Sequence, residues 1–63
     1  MTDAEQLARF FHETYEALAP EFSYETRRET AVPWEQVPEL NRRLMLAVAE
    51  KVLERYPQLR TDA

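Results

Sequence analysis

The chain has 63 residues and a net charge of −4, and it contains no cysteine and no glycine. This length allows one domain with a thin core, and the absence of cysteine excludes a disulfide framework and a thiolate metal site. The absence of glycine excludes the phosphate-binding loops that need backbone without a Cβ, and the negative charge opposes broad binding to nucleic acid. We therefore expect oligomerisation to stabilise so small a domain.

The first predicted element is a helix over residues of about 3–19. Thr2 and Glu5 fit a capping box, in which each side chain bonds to the backbone N–H of the other residue, and Pro20 ends the helix. His12 lies at the margin of the apolar side of this helix, and we expect it to be half exposed. At 100° per residue, the stripe that we expect to face the core consists of Ala4, Leu7, Phe11, Thr14 and Leu18.

An irregular connection follows over about 20–32, and a short helical turn over about 33–37. Phe22 and Tyr24 alternate with polar neighbours, which indicates a short extended piece, although no other segment offers a partner strand. A connection of this length is uncommon in compact domains and is more often functional than a short one. The alternative is a solvated loop that is anchored by its aromatic side chains.

The second long helix is predicted over about 38–56, with Pro38 at its first position and a frayed tail over 57–63. Its apolar residues span about half of the helical wheel, which is wider than the stripe of a little over ~100° typical of a helix with one partner. Either the aromatic loop or a second copy of the chain must cover this width. We favour a homo-oligomer, and its expected interface residues are Met45, Leu46, Ala49, Leu53 and Tyr56.

The predicted fold class is therefore all-α. Two long helices are joined by an ordered aromatic loop and a short helical turn, residues 1–63 form a single domain, and the protein is oligomeric. No apolar run approaches the ~18–20 residues of a membrane span, and the N-terminus lacks the basic and apolar regions of a signal peptide. We expect a cytoplasmic protein that does not bind membranes.

The inventory of reactive side chains disfavours catalysis. His12 is the only histidine, and Ser23, the only serine, lies on a loop with no visible oxyanion hole. The carboxylates of the first helix lack the paired, desolvated setting that general acid–base chemistry needs. We predict a protein that is not an enzyme and that uses no cofactor and no metal ion.

The stretch over 32–42 is the hardest part of the chain to explain by helix packing alone. It contains the only tryptophan, two prolines and a polar Asn-Arg pair just inside the second helix. Aromatic rings can stack on a flat ligand, and guanidinium groups bind phosphate through paired N–H groups. The candidate ligand contacts are Trp34 and Tyr24 for stacking, Arg27, Arg28 and Arg42 for phosphate, and Asn41 for hydrogen bonding. The alternative is that Trp34 fills the core and Arg42 pairs with a carboxylate across an oligomer contact.

A series of short motifs in a fixed order extends over most of residues 4–52. The motifs are His12-Glu13, Tyr15, Trp34, Val37-Pro38-Glu39 and Asn41-Arg42. This series resembles the ryanodine-receptor repeat domain, which occurs in animal calcium channels and as short stand-alone copies in bacteria and phages. The chain differs from the channel repeats because its loop carries Phe22-Ser23-Tyr24 in place of a glycine-aromatic-glycine piece, and because the domain is present once. It looks more like the compact phage or actinobacterial version.

The resemblance implies a non-enzymatic binding module. Some bacterial copies accompany defence systems that use nucleotide signals, and small phage proteins can sequester such signals. We therefore predict a phage or bacterial module that sequesters a nucleotide-derived signalling molecule, and the resemblance adds His12 and Tyr15 to its ligand contacts. The alternative is a protein–protein interaction module that binds a host or structural partner through the second helix.

Overall fold

The computed structural model describes residues 2–61, and the elements in this range are helices and turns with no β-strand. Helix α1 spans Asp3–Leu18 and helix α2 spans Glu39–Arg55. The all-α prediction with two long helices is therefore confirmed. Their expected ranges were 3–19 and 38–56. Shorter 3₁₀ turns lie between and after the helices, at Ala19–Phe22, Trp34–Gln36 and Pro57–Leu59.

Helix α1 begins at a complete capping box. The backbone N–H of Glu5 donates to Thr2 Oγ1 over 3.1 Å, and the backbone N–H of Thr2 donates to Glu5 Oε1 over 3.0 Å. The hydrogen bond from the Thr2 backbone N–H, followed by one with the Thr2 side chain, lowers the pKa of the Glu5 carboxyl below its ordinary value. The cap therefore favours an ionised Glu5 at the positive end of the helix dipole.

Helix α2 begins one residue later than expected. Pro38 is not the first helical residue but the N-cap, with an extended ψ of 142°, and its carbonyl oxygen accepts from the backbone N–H of Arg42 over 3.0 Å. The turn before it is closed by the N–H of Val37, which donates to the carbonyl of Trp34 over 3.2 Å. The two prolines that flank this turn fix its backbone, which brings the Trp34 side chain against the helices.

The helices pack largely through small residues, and the predicted core stripe of α1 is correct for Ala4 and Leu7 but wrong for Phe11 and Leu18. Ala4, Ala8 and His12 are buried in α1, whereas Phe11 and Leu18 are 61% and 44% exposed. Small side chains let the two backbones approach closely. Trp34 and Val37, which lie outside the two helices, complete the core. The buried cluster consists of Ala4, Ala8, Trp34, Val37, Ala49 and Leu53.

The predicted oligomer interface on α2 needs the same correction. Ala49 and Leu53 are 3% and 2% exposed and belong to the core inside one chain. Met45 and Leu46 are partly buried against that core, and Tyr56 alone of the five lies on the surface. The exposed apolar side of α2 is instead a stripe of Leu40, Leu44 and Val48.

The segment after α2 is not frayed over the residues that the structure describes. Pro57–Leu59 forms a 3₁₀ turn, and the Arg60 guanidinium lies 3.8 Å from the Glu50 carboxylate. The backbone N–H and the hydroxyl of Thr61 both donate to the Asp3 carboxylate, over 3.1 and 2.7 Å. Residues 62–63 of the predicted tail lie outside the described range. Neither helix is long and apolar enough to cross a membrane.

Candidate ligand pocket

The connection between the helices is fastened to α1 by a buried histidine. His12 is 5% exposed, not half exposed as the sequence suggested, and its Nε2 lies 2.6 Å from the carbonyl oxygen of Val32. Because a carbonyl can only accept, Nε2 carries the hydrogen of this bond. The His12 ring also lies against Trp34, with ring centroids 6.0 Å apart and tilted by 54°. This contact holds the loop over the C-terminal half of α1.

A pocket of about 340 Å³ opens beside this contact. It lies between the C-terminal half of α1, the loop and the first turns of α2. Five of the eight predicted ligand contacts line it, and these are His12, Tyr15, Tyr24, Arg27 and Asn41. Residues that lie far apart in sequence are therefore brought to one concave surface, of a size at the lower end of the ~300–1,000 Å³ typical of small-molecule sites.

Aromatic rings form one wall of the pocket. Tyr15 stands in the middle, with its ring 6.1 Å from that of Phe11 in a stacked arrangement and 6.2 Å from that of Tyr24 in an edge-to-face arrangement. A hydrogen bond to Tyr24, reinforced by desolvation, raises the pKa of the Tyr15 phenol. The Tyr15 phenol therefore stays neutral near pH 7 and offers a hydrogen-bonding group beside an exposed aromatic surface, since Phe11 and Tyr24 are 61% and 58% exposed.

The loop supplies the polar wall. The Thr26 hydroxyl donates to Glu16 Oε1 over 2.8 Å, which ties the start of this wall to α1. A turn follows in which the Arg27 carbonyl accepts from the backbone N–H groups of Thr30 and Ala31, over 3.1 and 2.9 Å. The Arg27 guanidinium, which lines the pocket, has no carboxylate partner among residues 2–61. It is therefore free to bind an anion.

Three predicted ligand contacts lie outside this pocket. Trp34 is 7% exposed and belongs to the core, so its ring is not available for stacking, and the alternative of a core residue describes it correctly. Arg28 is exposed on the turn, and Arg42 is half buried on α2, but neither lines the pocket. The two arginines of the loop therefore differ, because only Arg27 faces the site.

The sequence prediction missed several lining residues. Phe11 was assigned to the core stripe, and Glu16 is one of the first-helix carboxylates that were judged unsuited to acid–base chemistry, yet both line the pocket together with Thr26 and Met45. The hydrogen bond between Thr26 and Glu16 joins residues ten positions apart, one on a loop and one on a helix. No local sequence pattern predicts such a bond. The exposed side of Phe11 follows from the burial of Ala8 and His12, which the apolar periodicity alone did not indicate.

Comparisons of the chain with models of protein families, with characterised proteins and with solved structures found no match. The resemblance to the ryanodine-receptor repeat domain therefore depends on the quoted motifs and stays a prediction. Two of these motifs now have a structural description. His12 fastens the loop to α1, and Trp34 fills the space between the loop and the helix pair.

Proposed function

We propose that the protein is a non-enzymatic binding module whose loop pocket takes a small nucleotide-derived molecule. The observation that carries this proposal is the gathering of aromatic rings, a free guanidinium and a side-chain amide around one pocket of about 340 Å³. A flat ring system, an anionic group and polar hydroxyl or amino groups are the complementary ligand features. Nucleotides combine all three.

Each wall of the pocket suits one part of such a ligand. The exposed rings of Phe11 and Tyr24 suit a base, because stacking on an aromatic side chain contributes about 1–3 kcal/mol and tolerates any base. Arg27 suits a phosphate, which it can hold with two parallel hydrogen bonds. The carboxylates of Glu16 and Glu25 can accept from ribose hydroxyls or base amino groups, and Asn41 can donate or accept.

The chemistry of the pocket favours binding without turnover. Its only histidine donates from Nε2 to the Val32 carbonyl, so this nitrogen is engaged in holding the loop and not in proton transfer to a ligand. In line with the family resemblance, we propose that a phage or bacterial module of this kind sequesters a nucleotide signal. It would thereby lower the free concentration of the signal without degrading it.

The neighbouring arginines of the loop provide a matched pair for the test. Arg27→Gln removes the guanidinium that lines the pocket, and Arg28→Gln removes an exposed guanidinium one residue away. The purified protein would be titrated with a panel of cyclic nucleotides and ADP-ribose derivatives by calorimetry and native mass spectrometry. We expect one ligand class to bind, with a loss of about 10- to 100-fold in affinity in Arg27→Gln, because a hydrogen bond to a charged group contributes about 1.5–3 kcal/mol. Arg28→Gln should bind like the unaltered protein.

Two outcomes would contradict the proposal. The first is no binding by any compound of the panel, together with no added mass on protein purified gently from cells that make these signals. The second is an equal loss of affinity in Arg27→Gln and Arg28→Gln, which would indicate attraction by overall charge and not a site. Degradation of a bound compound would contradict the non-enzymatic part alone.

A second candidate function is protein–protein interaction through α2. The observation in its favour is the apolar stripe on that helix, in which Leu40, Leu44 and Val48 are 78%, 62% and 56% exposed. Exposed apolar patches of this kind are typical of partner surfaces. The buried Leu53 is not part of this surface, so Leu53→Ala would test folding and not partner binding.

A further inference from the structure

An apolar groove runs between the two helices on the side away from the Trp34 turn. All eight residues that line it are apolar, and its volume is about 330 Å³. Leu7 and Phe11 form one edge, and Leu44, Val48 and Val52 form the other. Phe11, Leu44 and Val48 are each more than half exposed. The groove is therefore an open surface, and the core residues Ala8 and Ala49 lie at its floor.

Each helix carries two apolar sides, and only one of them is covered. The small residues Ala4 and Ala8 of α1 face α2, whereas the larger Leu7 and Phe11, rotated along the same helix, edge the groove. On α2, residues four apart lie one above the other on the same side, so Leu44 and Val48 continue the stripe that begins at Leu40. On α1 the large Phe11 and Leu18 are exposed and the alanines are buried, which is the reverse of the usual order.

The Trp34 turn covers only the opposite side of the helix pair. Trp34 packs on His12, and Glu35 lies 3.2 Å from the Arg9 guanidinium, so this turn is fixed to the Arg9 and His12 side of α1. The molecule measures 37 × 25 × 16 Å. The thinnest dimension is less than half of the longest, so the helix pair is flat. Stable domains normally bury their apolar faces between two layers.

The accessible surface of the chain indicates how much area a partner would have to cover. The chain has an accessible surface of 5160 Å². A folded monomer of 7.5 kDa is expected to expose about 4,250 Å², so this chain exposes about 900 Å² more. A standard protein interface removes about 800 Å² from each partner. The excess is therefore about what one such interface would cover.

We propose that this groove face binds a second copy of the chain, so that two helix pairs form an antiparallel four-helix bundle. The face consists of two apolar stripes on helices that pack side by side, and a second copy presents two stripes at the same spacing. A closed two-fold pair uses the same patch on both copies. A single partner helix in the groove would cover its centre but would leave Leu40 and Leu18, at 78% and 44% exposure, at the uncovered margins. Phe11 and Met45 line both this groove and the loop pocket, so the interface and the ligand site share these two side chains, and the two proposals are tested by different variants.

The test measures the mass of the full chain in solution. Sedimentation velocity would be recorded from about 1 µM to about 1 mM, the range that separates micromolar from millimolar dimers. We expect a species of twice the 7.5 kDa chain mass that dissociates on dilution. A chain that stays monomeric over the whole range would overturn the proposal, as would assemblies that keep growing with concentration.

Variants locate the interface. Leu44→Lys combined with Val48→Lys places two charges on the groove face at positions exposed enough to keep the fold, and we expect a monomer with an unchanged circular dichroism spectrum. Phe22→Lys is the matched control, because Phe22 is an apolar residue with 77% exposure outside the groove, and this variant should still form the dimer.

A crosslink tests the same face without adding charge. The chain has no cysteine, so Leu44→Cys and Phe22→Cys each introduce a single thiol. A short bismaleimide should link two copies of Leu44→Cys and not of Phe22→Cys. Dimers that persist in the double-lysine variant, or that crosslink only through Phe22→Cys, would assign the contact to another surface and overturn the proposal.

Discussion

The His12 ring donates from Nε2 to the carbonyl oxygen of Val32 over 2.6 Å, across twenty positions of the chain. This bond joins the middle of α1 to the end of the loop. It fixes the loop at the point where the loop turns toward Trp34, and His12 lines one side of the loop pocket. One side chain therefore links the core, the loop and the candidate site.

Replacing this donor should weaken the fold in proportion to the hydrogen bond lost. His12→Leu removes the donor and leaves the Val32 carbonyl without its partner, and we expect the free energy of unfolding to fall by about 1–3 kcal/mol. His12→Gln keeps an amide donor and should lose less. Urea denaturation monitored by circular dichroism measures both. Equal midpoints for the two variants would show that the bond contributes little.

Trp34 is expected to act on stability and not on ligand affinity. Trp34→Ala should remove about 3–5 kcal/mol, which is close to the ~3–5 kcal/mol that the core of so small a domain supplies, so the variant should be largely unfolded. Trp34→Phe should stay folded and bind any ligand of the loop pocket as before, because the Trp34 ring is 7% exposed. Phe22→Ala is an exposed control with little effect. If Trp34→Phe folds but no longer binds a ligand, Trp34 contributes to the binding site and this prediction is wrong.

The cap of α1 should make stability depend on pH. The pKa of the Glu5 carboxyl is lowered by its hydrogen bonds with Thr2 from an ordinary value of 4.5, so the folded state favours the ionised form. The stabilisation is present above the ordinary value and is lost as the pH falls through the lowered one. Between about pH 6 and pH 3, the melting temperature of the unaltered protein should fall more than that of Glu5→Gln. Glu21→Gln, which removes an exposed carboxylate elsewhere, should follow the unaltered protein.

Ser23 is a site where a small change should stabilise the fold. It is the one residue with a positive φ in the described range, at 56°, and its N–H closes the turn after α1 by donating to the Pro20 carbonyl over 3.1 Å. A left-handed conformation disfavours residues with a Cβ, so Ser23→Gly should raise the free energy of unfolding by up to about 1 kcal/mol after the entropy of glycine is counted. Ser23→Ala should give no such gain. Thermal unfolding of the three proteins decides the order.

Local signals in the sequence were sufficient to predict where the two helices begin and end. The capping box at Thr2 and Glu5, Pro20 after α1 and Pro38 before α2 each act within a few residues, and the helices begin and end close to them. The rotation of α1 was not predictable in the same way. Apolar periodicity assigned Phe11 to the core, but close packing of the backbones selected Ala8 and His12 instead. The size of side chain that fits at a helix contact depends on the neighbouring helix, and a helical wheel of one helix carries no information about its neighbour.

The sequence predicted which residues line the candidate site better than it predicted how these residues are arranged. The loop and the start of α2 do meet at one pocket, with Tyr24, Arg27 and Asn41 on its lining. Proximity in sequence wrongly grouped Trp34 with these residues. A tryptophan between two prolines can point outward to a ligand or inward to the core. The inward position is the observed one, and Trp34 is the largest side chain of the small buried cluster that includes Ala4 and Ala8.

The bonds from Thr61 to the Asp3 carboxylate bring the two ends of the described chain to the same end of the helix pair. A short linker between the ends should therefore close the backbone into a ring without strain. New termini opened at Arg28 and Glu29, on an exposed turn, would give a circular permutant with the same helix pairing. The fusion of a reporter domain to either end of this chain should likewise leave the loop pocket, at the opposite end of the helix pair, uncovered.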